Sequence, residues 1–409
     1  MKRRTVLRRV GGFALAGPCR AAAGAAVAMA AGLGAPVAHG ARLPLVLWHT
    51  PEGARALRES AVGFTRDTGV PVVVETPDEG PVKFQQAASA GKGPDLYVYA
   101  HDRIGEWIAA GLLHAVNPHR AMREDIDPLA WRGYTQQGRL WGYPMSVEAI
   151  TLIYNKALVQ RPPQSWDEVF DIDRRLRPQG RRAILWDYTN NYFTFSLLAA
   201  GGAYSFGRRA DGSIDPQDVG VAVPGAVRGA QVVERLIREG VMPAGSGYPE
   251  MEAAMASGRV AMMINGPWSW VNLRRAGIDF GVARLPRLDG RPCVPFVGVK
   301  GIMVNRNTRQ RELCAELVEH HLLSPAGLRR LDAAEPLGAA ASRAFFAELS
   351  ADERIRTIMD SAQDGVPTPN NPEMGRVWSV MKTALNNLSE GRQDARTALE
   401  TAARRLRAG

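Results

Sequence analysis

The segment that most constrains the fold is an apolar strand that runs directly into a tight turn with two tryptophans, from Val260 to Trp270. Its first five residues, 260–264, are apolar throughout, as expected of a strand that is covered on both faces. The Asn-Gly-Pro that follows is turn chemistry and ends the strand abruptly. In open α/β sheets, ligands bind beyond the carboxyl ends of strands, where a flat ring can stack on an apolar ligand face. The pattern therefore favours an α/β sheet with a ligand site near these two tryptophans, and core positions for both stay an alternative.

The first forty residues have the features of an export signal. They contain six Lys and Arg residues and no acid, followed by an Ala/Gly-rich apolar stretch. This predicts a signal peptide at residues 1–40 and a periplasmic mature protein. The pair Arg3-Arg4 also fits a twin-arginine signal, and a plain secretory signal has a basic start as well, so both export routes stay open. Cys19 has a proline before it and an arginine after it, which argues against a lipid anchor.

Charge and length limit the classes of protein that the mature chain can belong to. The full chain carries 51 Lys and Arg against 41 Asp and Glu, a net charge of +10, and removal of the signal leaves 45 against 41, or +4. The arginine pairs are dispersed and have no aromatic residues between them, so we expect no nucleic-acid partner. A mature length of about 369 residues favours two domains. Cys293 and Cys314 could form one disulfide, and their spacing does not require it.

Strand and helix alternate twice along the chain, which predicts two doubly wound α/β lobes. In the first alternation, a helix buries Leu57, Ala61 and Phe64 and ends at Gly69. The second contains a helix start that Ser165 and Glu168 would cap. The last helix has one apolar stripe, formed by Ala395, Leu399, Ala402 and Leu406. The predicted strands lie at 45–48, 72–74, 96–99, 152–154 and 260–264.

An ordered set of short motifs extends from Leu45 to the end of the chain. The set consists of Gly93-Pro94-Asp95, Ala100-His101-Asp102-Arg103, Tyr143-Pro144, Val147-Glu148-Ala149, Leu152-Ile153-Tyr154-Asn155-Lys156, Tyr192-Phe193-Thr194, Asn265-Gly266-Pro267-Trp268 and Gly391-Arg392-Gln393. In this order the set resembles the maltose/maltodextrin-binding proteins of bacterial ABC importers. The resemblance implies the type II periplasmic binding protein fold, in which two α/β lobes joined by a hinge close around a ligand. It implies a first lobe at 41–147 plus 302–347, a second lobe at 151–297 plus 353–409, and a hinge near 148–150 and 298–301.

The resemblance also implies the residues that bind sugar. Aromatic platforms would stack on sugar rings, and charged groups would take the hydroxyls as acceptors or donors. The stacking residues would be Trp268, Trp378, Tyr192 and Tyr99, and the hydroxyl-binding residues Asp102, Arg103 and Glu148. The remaining members of the implied site are Glu52, Asn190, Phe193 and Lys382.

Several positions depart from the family pattern. Where the family's first strand ends in a sugar-binding Asp-Lys pair, this chain has Glu52-Gly53, which keeps an acid and loses the ammonium donor. A Glu-Pro before Tyr192 becomes Asn190-Asn191, and a neighbouring pair of carboxylates becomes Pro81-Val82. The stacking residues are thus largely kept while part of the hydroxyl recognition is changed. The expected ligand is a maltose- or maltodextrin-like gluco-oligosaccharide, and trehalose or another disaccharide stays open.

The function that follows is sugar capture in the cleft and delivery to the permease subunits of an ABC importer, by a monomer without catalytic residues, cofactor or metal. Whether a chemoreceptor also binds the closed form is left open by the sequence. One alternative is a glycoside hydrolase with Asp102 and Glu148 as its two carboxylates. A second is a binding protein for another solute, although the histidines lack zinc-site spacing. A peptide ligand stays open until ligands are screened.

Overall fold

The computed structural model describes residues 43–210 and 214–408. The predicted signal peptide, residues 1–40, lies outside the described residues and stays a prediction. From residue 43 onward the described chain belongs to one compact unit. Within the two described ranges, no helix combines the length and the apolar character that crossing a membrane requires.

The strands and helices alternate along the whole described chain. The strands are β1 Leu45–Trp48, β2 Val72–Glu75, β3 Leu96–Ala100, β4 Leu113–His114, β5 Thr135–Gln136, β6 Arg139–Leu140, β7 Tyr143–Ala149, β8 Thr151–Asn155, β9 Arg182–Leu185, β10 Gly207–Arg208, β11 Ile214–Asp215, β12 Val260–Asn265, β13 Phe280–Ala283, β14 Phe296–Asn305, β15 Ala339–Ala340 and β16 Val366–Pro367. The α-helices are α1 Pro51–Thr68, α2 Gly80–Ser89, α3 Ile104–Ala109, α4 Arg120–Asp125, α5 Pro128–Tyr134, α6 Trp166–Leu176, α7 Asn191–Ala199, α8 Pro224–Arg238, α9 Tyr248–Ala256, α10 Trp270–Arg275, α11 Arg311–Glu316, α12 Pro325–Ala334, α13 Arg343–Leu349, α14 Glu353–Gln363, α15 Met374–Ser389 and α16 Ala395–Ala408. Short 3₁₀ helices lie at His101–Arg103, Arg177–Gln179 and Pro267–Ser269, and a π-helix at Leu317–Leu322.

The first sheet is built from strands that are far apart in sequence. Its strand order is β15-β7-β14-β3-β1-β2, and β4 and β16 also pair with β14. β1 lies parallel to both β2 and β3, as the early alternation of strand and helix predicts. β14 is antiparallel to β3 on one side and to β7 on the other. β14 is therefore inserted between β3 and β7, so that a late segment of the chain lies in the centre of the first sheet.

The second sheet has the strand order β13-β8-β12-β9. β12 is parallel to β9 and antiparallel to β8. Every residue of β12 is buried, as predicted from its continuous apolar run. α6 contacts β9, and α9 contacts β12. Two sheets with packed helices confirm the predicted class of two α/β lobes.

The chain passes directly from one sheet to the other at the end of β7. Only Ile150 separates β7 from β8, and the predicted hinge segment 148–150 lies at this junction. The second predicted hinge segment, 298–301, lies inside β14. The lobe boundaries given above stay a prediction.

Local sequence signals set the ends of the helices. In α1, Leu57, Ala61 and Phe64 are buried, and the helix ends at Gly69 in the left-handed conformation (φ 70°), as predicted. At the start of α6, Ser165 Oγ accepts a hydrogen bond from the Glu168 amide (3.3 Å). The predicted capping box would have the Glu168 carboxylate accept a hydrogen bond from the Ser165 amide. In the structure it accepts from the amide of Gln164 instead (3.0 Å), one residue earlier. The apolar stripe of α16 is buried, as predicted.

Cys293 and Cys314 are both buried free thiols. Burial raises the pKa of each thiol to about 12, so both stay protonated at neutral pH. The disulfide that the sequence allowed is therefore not formed, and the stability of the fold comes from its core.

Candidate ligand-binding cleft

A cavity of about 730 Å³ is lined by strands of the first sheet, by turns that follow strands of the second sheet, and by neighbouring helices. On one side its lining comes from the end of β3, from β7 and from β14. On the other side it comes from the turn after β12, the start of α7 and part of α15. Residues at strand ends thus line the cavity, as expected for ligand sites in α/β sheets.

Ten of the eleven site residues predicted from the sequence line this cavity. They are Tyr99, Asp102, Arg103, Glu148, Asn190, Tyr192, Phe193, Trp268, Trp378 and Lys382. The eleventh, Glu52, lies in the first turn of α1, and its side chain is outside the described part of the structure. The structure therefore brings together residues that are far apart in the chain, and their role in sugar binding stays a prediction.

The two tryptophans of the turn after β12 have different environments. Trp270 begins α10 and is 1% exposed, so its ring belongs to the core. Trp268 is half-buried and lines the cavity. A Cβ at Gly266 would overlap the indole of Trp268, so this glycine allows the ring to fold back over the turn.

An aromatic wall, formed by Tyr192, Phe193, Tyr248 and Trp268, lines one side of the cavity. The ring centroids of Tyr192 and Trp268 are 6.3 Å apart, and those of Phe193 and Tyr248 are 6.2 Å apart. Asn190 caps α7 by accepting a hydrogen bond from the Tyr192 amide (3.1 Å), which fixes the start of the helix. The wall is therefore preorganised by secondary structure.

A charged wall, formed by Asp102, Arg103, Glu148 and Lys300, lines the other side. The 3₁₀ helix that carries Asp102 and Arg103 is held in place through its first residue, His101. The Val299 amide donates to His101 Nδ1 (2.9 Å), and His101 Nε2 bonds to the carbonyl of Thr368 (3.0 Å). Because Nδ1 accepts, the ring is neutral with its proton on Nε2, and burial lowers the pKa of His101 to about 4.

Asp102 is joined to α15 by a direct hydrogen bond. Trp378 Nε1 donates to Asp102 Oδ2 (3.1 Å), and the Trp378 ring meets Phe296 edge-on at 5.6 Å. Burial raises the pKa of Asp102 to about 6, although the Arg103 guanidinium acts in the opposite direction. Arg103 itself forms an ion pair with Glu106 (2.8 Å). The Asp102 carboxylate thus accepts a hydrogen bond from Trp378 and has a pKa of about 6.

Glu148 lies in β7 with apolar neighbours on both sides in sequence. Burial raises the pKa of its carboxyl group, and the Lys300 ammonium acts to lower it. Ser146 Oγ donates to Glu148 Oε1 (3.4 Å). The Glu148 carboxyl group thus has a hydrogen-bond donor on its own strand, and the Lys300 ammonium of the neighbouring strand β14 acts on it electrostatically.

Sequence reasoning missed several residues of the cavity. Lys300 is the one half-buried residue in the otherwise buried strand β14, and the rule that singled out Glu148 would have found it. The Tyr248 hydroxyl donates to Glu252 (3.2 Å) and accepts from Asn265 Nδ2 (3.4 Å), and no sequence pattern marked this residue. Asn191 lines the cavity with both amide atoms buried and without a hydrogen-bond partner among the described residues. The other missed lining residues include His49, Thr50, Asp187, Thr189 and Thr368.

The chain is similar to known solute-binding proteins along most of its length. A family model described as bacterial extracellular solute-binding protein matches residues 49–327. The chain is 28% identical over 368 residues to a galactooligosaccharide-binding protein of Bacillus subtilis, covering 88% of this chain and 87% of that protein. It is 27% identical over 360 residues to a maltotriose-binding protein of Pyrococcus abyssi, covering 84% and 77%. It is 26% identical over 367 residues to a maltooligosaccharide ABC transporter solute-binding lipoprotein of Streptococcus pneumoniae, covering 87% and 86%.

Proposed function

The chain belongs to the bacterial extracellular solute-binding protein family, and from this membership we propose that it captures a neutral oligosaccharide in its cleft and delivers it to an ABC importer. Membership means that the protein is exported. Its relatives described above are named as binding proteins for galactooligosaccharide, maltotriose and maltooligosaccharide. The proposed ligand is a maltose- or maltodextrin-like gluco-oligosaccharide, and a galacto-oligosaccharide is the second candidate because of the Bacillus subtilis relative.

One observation carries the proposal: an aromatic wall and a charged wall line the same cavity. A sugar has weakly apolar C–H faces and a rim of hydroxyls, so it needs both kinds of contact. Stacking contributes about 0.5–1.5 kcal/mol per ring beyond area burial, whereas a micromolar complex needs about 8 kcal/mol in total. Hydroxyl contacts must therefore supply a large part of the affinity and most of the selectivity.

The charge of the cavity lining supports a neutral ligand. Its acids are Asp102, Glu148 and Asp187, and its bases are Arg103, Lys300 and Lys382. Two of the three bases already pair with acids, Arg103 with Glu106 and Lys300 with Glu335. An anionic ligand would therefore meet no excess of positive charge, whereas hydroxyls can bond to groups of either sign.

We also propose the compartment, the oligomeric state and the lobe boundaries that the sequence implied. The protein would act in the periplasm as a monomer, and its lobes would be 41–147 plus 302–347 and 151–297 plus 353–409. Closing of the lobes around sugar would create the form that docks on the permease subunits. A twin-arginine export route and recognition by a chemoreceptor remain open parts of this proposal.

We propose no catalytic role for Asp102 and Glu148. One carboxylate oxygen of Asp102 is already engaged as the acceptor of a hydrogen bond from Trp378. The relatives described above are binding proteins rather than enzymes. Incubation with maltotriose tests this point: steady release of shorter sugars at low protein concentration would instead establish the glycoside hydrolase.

A thermal-shift panel tests the proposed function. The panel contains maltose, maltotriose, trehalose, sucrose, cellobiose and a galactobiose, and a ligand that binds only the folded state raises the melting temperature. We expect a rise with at least one malto- or galacto-oligosaccharide, confirmed by calorimetric titration. If no sugar in the panel raises the melting temperature or gives a binding isotherm, the proposed function is wrong.

A further inference from the structure

Lys300 lies on the cleft-facing side of the first sheet. β14 pairs with β7 so that Gly298 is opposite Glu148 and Lys300 is opposite Ser146. Because side chains alternate along a strand, Glu148 and Lys300 extend from the same face of the sheet. A bulge follows between Lys300 and Gly301, and bulges often re-aim a side chain at a functional site. Both Glu148 and Lys300 line the cavity.

A second set of groups holds the Lys300 ammonium in place. Lys300 Nζ is 2.5 Å from Glu335 Oε1, and Glu335 Oε2 is 3.6 Å from His49 Nε2. The Thr50 amide donates to His49 Nδ1 (2.6 Å), so the His49 ring is neutral and carries its proton on Nε2, towards Glu335. Burial is the main cause that lowers the pKa of His49, to about 3. The Glu335 carboxylate is therefore held between an ammonium and an imidazole N–H.

This network fills the space beside Gly53, in the first turn of α1. A Cβ at Gly53 would overlap the imidazole of His49 and the carboxylate of Glu335, so no larger residue fits there with the observed packing. The ammonium groups among the described lining residues belong to Lys300 in β14 and Lys382 in α15. Of the two, Lys300 is the one that is fixed in place by this buried network.

We propose that Lys300 is a ligand-binding residue that donates hydrogen bonds to hydroxyls of the oligosaccharide ring nearest to β14. The inference rests on the proposed function of sugar capture. An ammonium has three N–H donors, so an ion pair with Glu335 is compatible with donation to a ligand. Glu148, on the same face, accepts from hydroxyls of the same ring. Lys300 thus acts as the hydrogen-bond donor and Glu148 as the acceptor for adjacent hydroxyls of this ring.

The consequence is selectivity among sugars that differ in one hydroxyl. A ring without the hydroxyl bound by Lys300 leaves a buried donor without its ligand acceptor, which weakens binding more than the loss of a solvent-exposed contact. The parent protein is expected to bind one monodeoxy analogue of its best sugar about tenfold or more weakly than the sugar itself.

The test is calorimetric titration of the parent, Lys300→Met and the control Lys156→Met with the best sugar and its monodeoxy analogues. Lys156 pairs with Asp279 at a half-exposed site and is not among the cavity-lining residues. We expect Lys300→Met to bind the best sugar about tenfold more weakly and to lose the discrimination against one analogue. Lys156→Met should keep both the affinity and the discrimination.

Removal of Lys300 leaves the buried Glu335 carboxylate without its cation, which can destabilise the fold. The double variant Lys300→Met/Glu335→Gln removes both charges and is measured in parallel with a thermal melt of each protein. Loss of discrimination in either folded variant supports the assignment. If the parent binds sugar and these variants retain full discrimination, the Lys300 assignment alone is wrong. If the parent binds no sugar, the proposed function fails and the assignment with it.

Discussion

The two walls of the cleft differ in how the fold holds them and in what they offer a ligand. The aromatic wall consists of rings placed by a strand end, a helix start and a glycine, and those rings contact one another directly. The charged wall is held by buried hydrogen bonds and ion pairs that involve His101, Glu335 and His49. An aromatic ring face can stack on many different ligands, whereas a hydrogen-bond donor or acceptor in a fixed position fits only ligands with a matching group.

This difference explains how a chain can keep a ligand class while it changes the preferred ligand. Tyr192, Phe193 and Trp268 of the aromatic wall belong to the motifs that carry the resemblance, whereas the departures from the family pattern include the lost ammonium at Gly53. The ammonium at Lys300 lies on the charged wall. We therefore expect changes in the aromatic wall to lower affinity for all sugars, and changes in the charged wall to alter which sugar binds best.

The largest effect is expected from Trp268→Ala. Loss of the ring removes both buried apolar area and stacking, so affinity should fall roughly 100-fold for every sugar that binds. The sugar-induced change in tryptophan fluorescence, expected from Trp268 and Trp378, should be largely lost. Trp270→Phe is the matched control, because this neighbouring ring is in the core and its change should lower the melting temperature with little change in affinity. Unchanged affinity in Trp268→Ala would show that the aromatic wall is not part of the site.

The next effect is expected from pH, through Asp102. Burial raises the pKa of this carboxyl to about 6, so the acceptor form is lost as pH falls through that value. Affinity should therefore drop about tenfold between about pH 7.5 and about pH 5. For folding stability the sign is opposite: the raised pKa stabilises the folded protein at low pH, and this contribution is lost as pH rises through about 6.

Asp102→Asn separates Asp102 from the other carboxylates of the cleft. The variant keeps the side-chain shape and should bind more weakly than the parent at about pH 7.5, with a flatter pH profile. Asp279→Asn, at an exposed ion pair, is the control and should retain the parent profile. A parent affinity that does not change with pH, or rises on acidification, would contradict the role of the ionised carboxylate.

The smallest effect is expected from Tyr248→Phe. The ring stays in the aromatic wall, and only the hydroxyl that bonds to Glu252 and Asn265 is removed. We expect affinity to fall about two- to fivefold for all sugars alike, because Asn265, which ends β12 just before the Trp268 turn, loses one of its hydrogen-bond partners. A change in the order of preferred sugars would instead place this hydroxyl among the selective groups, and the comparison of the walls would need revision.

Much of the fold could be predicted from local sequence signals. The apolar run of β12, the spacing of Leu57, Ala61 and Phe64, and the terminal Gly69 each act over a few residues, so pattern and chemistry were sufficient. The central position of β14 in the first sheet could not be predicted in this way, because it depends on pairing with strands far away in the chain. The resemblance, rather than periodicity, supplied that discontinuous arrangement.

The residues of the candidate site also fall into two groups: those that the sequence identifies and those that only tertiary packing brings to the cavity. Residues that belong to ordered motifs, such as Asp102 and Trp268, could be named from the sequence and line the cavity. Tyr248 and Asn191 reach the cavity only through tertiary packing, and their sequence neighbours contain no signal. Lys300 is intermediate, because a charge in an apolar strand marks it as paired. Its partner Glu335 and its same-face neighbour Glu148 could not be identified without the tertiary structure.

The central claim is that an oligosaccharide binds between the aromatic wall and the charged wall. The most direct test is a crystal structure of the protein with the sugar that binds best in the panel. We predict a sugar ring stacked on Trp268, with hydroxyls within hydrogen-bond distance of Asp102 and Glu148. A sugar that is bound outside this cavity, or a cavity that stays without sugar at saturating concentration, would contradict the account.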